Sequence, residues 1–199
     1  DSLTEMPSVA IEVSFKTMRD IMVELTIAQE VLMNSKKVTV EYEKKILKVE
    51  EALEITRKFL DSIFVTSKRE HQKLISILHT LDHLHRLIKV LREKQNVEAF
   101  YLQEKLMSEW QEMLSIIKQR LSEDEKLMDS SIILEETSQK VAQERREKRI
   151  QYFERSVANE TQLDLAVSKV DALLWIDRLI YHYWRATARM AEFQSMNDE

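Results

Sequence analysis

The chain has 199 residues, 44% of them hydrophobic and 33% charged, with a formal net charge of −5. That is the make-up of a soluble, ordered protein of one domain or two small ones, long enough to bury a real core. The absence of glycine and cysteine and the single proline, Pro7, exclude a disulfide framework, thiol chemistry and most tight hairpin turns. High Leu, Glu, Lys and Met content favours helix throughout, so the expected fold class is all-α. Residues 1–95 carry 16 Lys and Arg against 15 Asp and Glu, and residues 96–199 carry 14 against 20. Neither half is basic enough to follow a phosphate backbone, so no nucleic-acid partner is expected. No apolar run approaches the length of a membrane span.

Residues 1–7 read as a lead-in segment or linker, closed by Pro7 with Ser8 as N-cap. A first helix is predicted to about Asn34, with Val9, Val13, Met18, Ile21, Leu25, Ala28 and Leu32 on one face. A second starts near Thr39 and reaches about Phe64 on a stripe of Ile46, Val49, Leu53, Thr56 and Leu60. Ser67 and Glu70 have capping-box spacing and open a third helix, with Leu74, Ile77, Leu78, Leu81, Leu84, Ile88 and Leu91 at helical period. Asn96 is the expected cap of a fourth, whose stripe holds Phe100, Leu106, Trp110, Met113, Leu114 and Ile117. Ser122 to Glu125 has the spacing of a second capping box and opens a fifth helix, ending near Val157. Asn159 or Thr161 caps the last, which reaches about Met196.

Six helices with short connections predict an up-down antiparallel array. The chain divides at 95/96 into three helices and three, 8–95 and 96–199. Asp82 falls on Asp177 and Leu84 on Leu179 at a constant offset, which points to a duplicated three-helix unit.

The stretch 171–189 is the most apolar of the chain and holds two of its three tryptophans. On a helical wheel Leu163, Ala166, Val170, Leu173, Asp177, Ile180, Trp184 and Ala188 share one sector, while Trp175, Ile176, Leu179 and Tyr183 lie opposite. Such a helix is apolar nearly all round: the centre of a bundle, or part of a dimer surface. Asp177 therefore needs a partner, either a basic or hydroxyl side chain on another helix or a metal ion. A third sector carries Asp171, Arg178, His182, Arg185 and Arg189. It reads as a solvated face with ordinary ion pairs or as a grip for an anion such as phosphate.

Four of the five histidines, His71, His79, His83 and His85, lie on the third predicted helix. His79 and His83 are spaced i, i+4 beside Asp82, a geometry that can hold a divalent metal, and the wheel turns His85 to the core and the other two outward. Glu50 and Glu54 on the second helix are a further source of oxygen ligands. The candidate metal set is Asp82, Asp177, Glu50, His79 and His83. Nucleophile elbows, phosphate loops and dinucleotide turns all need glycine, so no catalysis is expected.

Two helical triplets, each ending in an acid within an apolar run, resemble the PhoU family. More narrowly, Leu173-Leu174-Trp175-Ile176-Asp177-Arg178-Leu179-Ile180-Tyr181-His182-Tyr183-Trp184-Arg185 resembles the final helix of PhoU-like domains attached to bacterial sodium/phosphate cotransporters. Pro7-Ser8-Val9-Ala10-Ile11-Glu12 is similar to the segment by which such domains leave the membrane part. The resemblance implies two three-helix bundles forming a cytoplasmic regulatory or accessory domain of a phosphate transporter, tethered to the inner membrane as part of a longer protein. It implies the membrane portion as partner, and a homodimer is a further expectation. PhoU proteins carry a Glu/Asp-xxx-Asp metal pattern; Asp82 and Asp177 match its first acid, while Arg86 and Tyr181 stand at its second. The alternatives are a free-standing PhoU-like phosphate-signalling regulator and a carboxylate-bridged metal-binding helical bundle.

Overall fold

The computed structural model describes residues 6–101 and 103–198, the side chains of 98–100 excepted. Most of the lead-in segment and the expected core position of Phe100 lie outside the described residues. Among those described the chain is all-helical: α1 (Pro7–Ser35), α2 (Val40–Asp61), α3 (Lys68–Leu91), α4 (Lys94–Phe100), α5 (Glu104–Ser122), α6 (Met128–Val157) and α7 (Leu163–Asp198). Seven helices stand where six were expected, because the fourth predicted helix is broken ahead of Glu104 into α4 and α5. None is long and apolar enough to cross a membrane.

Helix α7 lies along α6 and α3 and also receives α4, while α1 packs against α2, α5 and α3. Trp175 reaches the Val90 carbonyl and Arg69 the Met196 carbonyl, so α3 and α7 run antiparallel. One continuous core joins Met18, Met22 and Leu25 of α1, Leu84, Leu87 and Leu91 of α3, Trp110 and Leu114 of α5, and Trp175, Ile176 and Tyr183 of α7. Methionines suit the irregular gaps between crossing helices because their side chains bend to fit. The stripe predicted for α2 is buried throughout. On α1, Val9 and Val13 are exposed, and Ala10, Ile11, Ser14 and Phe15 are buried in their place.

Helix ends show how a chain without glycine satisfies its terminal groups. The Ser67–Glu70 capping box forms, and Thr39 Oγ1 accepts the Tyr42 amide at 3.2 Å. Ser8 is not a cap: Pro7 occupies the first turn after Met6, where its missing N–H costs nothing, and Ser8 Oγ donates to Glu70 Oε1 at 2.6 Å. Ser122 to Glu125 forms no capping box. Ser122 ends α5, Asp124 turns left-handed at φ 55°, and α6 starts at Met128. The reason is Arg19, buried on α1, which donates to the carbonyls of Arg120 and Leu121 at 3.1 Å and pairs with Asp124 at 3.2 Å, holding the end of α5 in place. Asn96 lies within α4, and Asn159 is a left-handed residue closing α6 at φ 59°.

Candidate functional site

The polar groups of α7 sort by the helix they face. Toward α6, Arg145 Nε donates to Asp177 Oδ2 at 2.7 Å, with both side chains mostly hidden from solvent. This is the partner that an acid in an apolar sector requires, supplied by a base on a neighbouring helix. Trp175, Ile176, Leu179 and Tyr183 are buried on the other side, as are Leu173 and Ile180 beside Asp177. The helix is thus enclosed on both flanks.

Toward α3 the seam is basic. Arg178 makes a two-point pair with Glu93, at 2.9 and 2.5 Å, and Arg189 Nη1 donates to both carboxylate oxygens of Glu192, one turn along α7, at 3.0 and 2.9 Å. Arg86 of α3 turns back to Asp82 at 3.0 Å. Between them the rings of His83 and His182 meet across the interface, Nδ1 to Nδ1 at 3.3 Å, and Tyr181 sits edge-on to both. Arg185 stacks over Trp184 with 5.2 Å from its guanidinium carbon to the ring centroid, and among the described residues it alone of these four arginines has no carboxylate partner. The Nε–H groups of Arg178, Arg185 and Arg189 are buried with no acceptor among the described residues. An unmet buried donor costs about 1–3 kcal/mol, so this seam favours an acceptor that reaches it.

Electrostatics at the histidine pair follow from that setting. Burial, then the charge of His182 and of Arg185, holds His83 down to about 4 against the ordinary 6.5, with Asp82 opposing. Burial, then Arg86, does the same to His182, again to about 4. Both rings are therefore neutral at pH 7, and one donates its Nδ1–H to the other.

The anion candidates Arg178, His182, Arg185 and Arg189 are brought into one seam, and His83 and Arg86 join them from α3. The metal candidates are dispersed. Glu50 pairs with Arg92 and Asp82 with Arg86; Asp177 belongs to Arg145; His79 is exposed; His83 turns its Nδ1 to His182. Among the described residues no three His, Cys, Asp or Glu side chains gather as a metal ion needs. These residues do not fit a metal set: each acid is neutralised by a guanidinium, and Arg86 and Tyr181 supply no second carboxylate. His85, expected in the core, is exposed, while His83, expected outward, is half-buried. The wheel put these two histidines on the wrong faces of α3, because the packing of α7 beside it decides which face is covered. The pairing of His83 with His182 left no trace that singles it out, since His83 is one of four histidines on a charged helix.

Comparison of the chain with protein-family models, with curated proteins and with solved structures gives no match.

Proposed function

We propose that the chain is a non-catalytic regulatory module, the PhoU-like cytoplasmic accessory domain of a sodium-dependent inorganic phosphate transporter. It acts through helix packing against its membrane portion and is tethered to the inner membrane through it. In this reading 8–95 and 96–199 are two copies of one ancestral three-helix unit, each closed by a helix with an acid inside an apolar run. The observation that supports it most is the placement of the stretch carrying the resemblance. Leu173 to Arg185 forms the middle of α7, the helix packed by α3, α4 and α6 together. A shift of that helix is felt by most of the molecule, which is what a module that transmits a state by packing requires. The test is sodium-driven phosphate uptake in cells whose genomic reading frame has lost only the segment encoding this chain. Altered uptake, with the intact product found in the membrane fraction, is the expected result. A full reading frame without membrane-spanning helices would refute the tethered form and leave the free-standing regulator.

A further inference from the structure

We infer that the outward face of α7 is a docking surface for a second copy of this chain, the two α7 helices packing antiparallel about a two-fold axis. The inference rests on this helix alone and stands or falls independently of the transporter reading.

Contacts on either side of α7 fix where that face lies. Asp177 reaches α6 through Arg145, and His182, about 140° further round the helix, reaches α3 through His83. Leu163, Val167, Val170, Leu174 and Tyr181 fall between those two directions, within about 60° of one another. Four of them are 40–60% exposed and Val170 is half-buried, so among the described residues this stripe is left open. Its spacing alternates four and three, and continues unbroken through Asp177, Trp184 and Ala188. That is the a/d pattern by which one helix packs along another, here over about 38 Å.

The charges beside the stripe say which helix fits it. Asp164, Asp171, Arg178 and Arg185 recur every seven residues along one edge: two acids, then two bases. Against a copy running the opposite way, with Leu163 level with Ala188, Asp164 meets Arg185 and Asp171 meets Arg178. The two-fold axis repeats both pairs. Sliding the copy one heptad either way sets Asp171 against its own equivalent, or Arg178 against its own. A parallel copy sets this edge against Ala166, Leu173, Ile180 and Thr187, which carry no charge. One orientation and one register therefore satisfy all four charges.

The single chain leaves those groups available. Asp164 and Asp171 are exposed, and among the described residues neither has a cationic partner and Arg185 has no carboxylate. Arg178 keeps Glu93, and Asp171 of the second copy joins that pair. The same register sets large side chains against smaller ones, Leu163 on Ala188, Trp184 on Val167 and Tyr181 on Val170. Leu174 meets Asp177, whose carboxylate is already held by Arg145.

The test is sedimentation equilibrium of the whole chain. A mass of twice 23.7 kDa is expected, with a dissociation constant of about 1–50 µM. Asp164→Lys and Arg185→Glu should each weaken the dimer about 10-fold or more, and an equimolar mixture of the two should recover the original affinity, because every like-charge contact then becomes an opposite one. Leu174→Lys should leave only monomer. If Arg185→Glu fails to fold by circular dichroism, Asp164→Lys and Leu174→Lys read the same surface. Orientation has its own readout, since the chain has no cysteine. Leu163→Cys and Ala188→Cys should form a disulfide on oxidation when mixed, and neither should do so alone. A monomer at about 200 µM, a mixture no tighter than its components, or Leu163→Cys cross-linking to itself overturns the assignment. Pelleting of a monomeric chain with phosphatidylglycerol vesicles, abolished by Leu174→Lys, would give the face to a membrane surface and overturn it as well.

Discussion

Arg145 and Asp177 meet at 2.7 Å between α6 and α7, with 27% and 15% of their side chains exposed. At that depth the attraction is screened less than at a surface, yet both groups also lose water, so the pair matters chiefly through what happens when one partner goes. Asp177→Asn is expected to destabilise by about 1–3 kcal/mol in urea unfolding, and Arg145→Gln by a similar amount. The double substitution should cost clearly less than the sum; additive losses would show that the two act separately. His83 and His182 set a second expectation. Their folded values lie below the unfolded 6.5, at about 4, so below 6.5 the unfolded chain binds more protons than the folded one. Stability is therefore full above pH 6.5 and is lost as pH falls from there toward 4. Both rings keep part of their surface in water, which reduces the loss to the order of 1 kcal/mol. Thermal melts from pH 7 to pH 4.5 should show it, and His83→Gln should flatten the slope in that window.

At the scale of elements, ends decide more than middles. Without glycine, helix C-termini here close on left-handed Lys36, Asp124 and Asn159 at φ 54–59°, and on donors from distant helices. Tyr42 Oη donates to the Leu91 carbonyl at 2.8 Å and Trp175 Nε1 to that of Val90 at 2.7 Å, together capping α3, while Tyr101 Oη caps α1 at Leu32. A left-handed residue with a Cβ costs about 1–2 kcal/mol, partly returned when glycine loosens the unfolded chain. Lys36→Gly, at an exposed position, is thus expected to raise stability by about 0.5–1 kcal/mol, read from the urea midpoint. A lower midpoint would show that the Lys36 side chain contributes in its own right. The same physics separates what was legible in the sequence from what was not. The stripe Ile46, Val49, Leu53, Thr56 and Leu60 and the Ser67–Glu70 box depend on residues a few positions apart, and both form as expected. Ser122 to Glu125 has identical local spacing and fails, because Arg19, about a hundred positions away, takes the carbonyls there. At the candidate site the arginine sector of α7 was readable on a wheel. His83 and Arg145 were not, since their partners depend on which helix packs beside α7.

At the scale of the whole molecule, the open matter is whether 8–95 and 96–199 behave as two bodies or one. The core speaks for one unfolding unit: α7 lies along α3, α1 packs on α5, and Trp175, fully enclosed, donates to a carbonyl of the other half. A half released from its partner would expose the inner faces of α3 and α7 and leave the last carbonyls of α3 without Trp175. Each loss costs enough that partial unfolding gains little, which is the condition for a two-state transition. The three tryptophans, Trp110, Trp175 and Trp184, all lie in 96–199, so their fluorescence follows that half while far-ultraviolet circular dichroism follows every helix. The two signals are expected to give one urea midpoint and one slope, and a fluorescence transition displaced from the dichroism would establish two independent bodies. Trp175→Ala sharpens the comparison. Removing a buried ring should cost about 3–5 kcal/mol. In a single unit the dichroism of the whole chain shifts by that amount, whereas in a two-body chain the helices of 8–95 would keep their original midpoint.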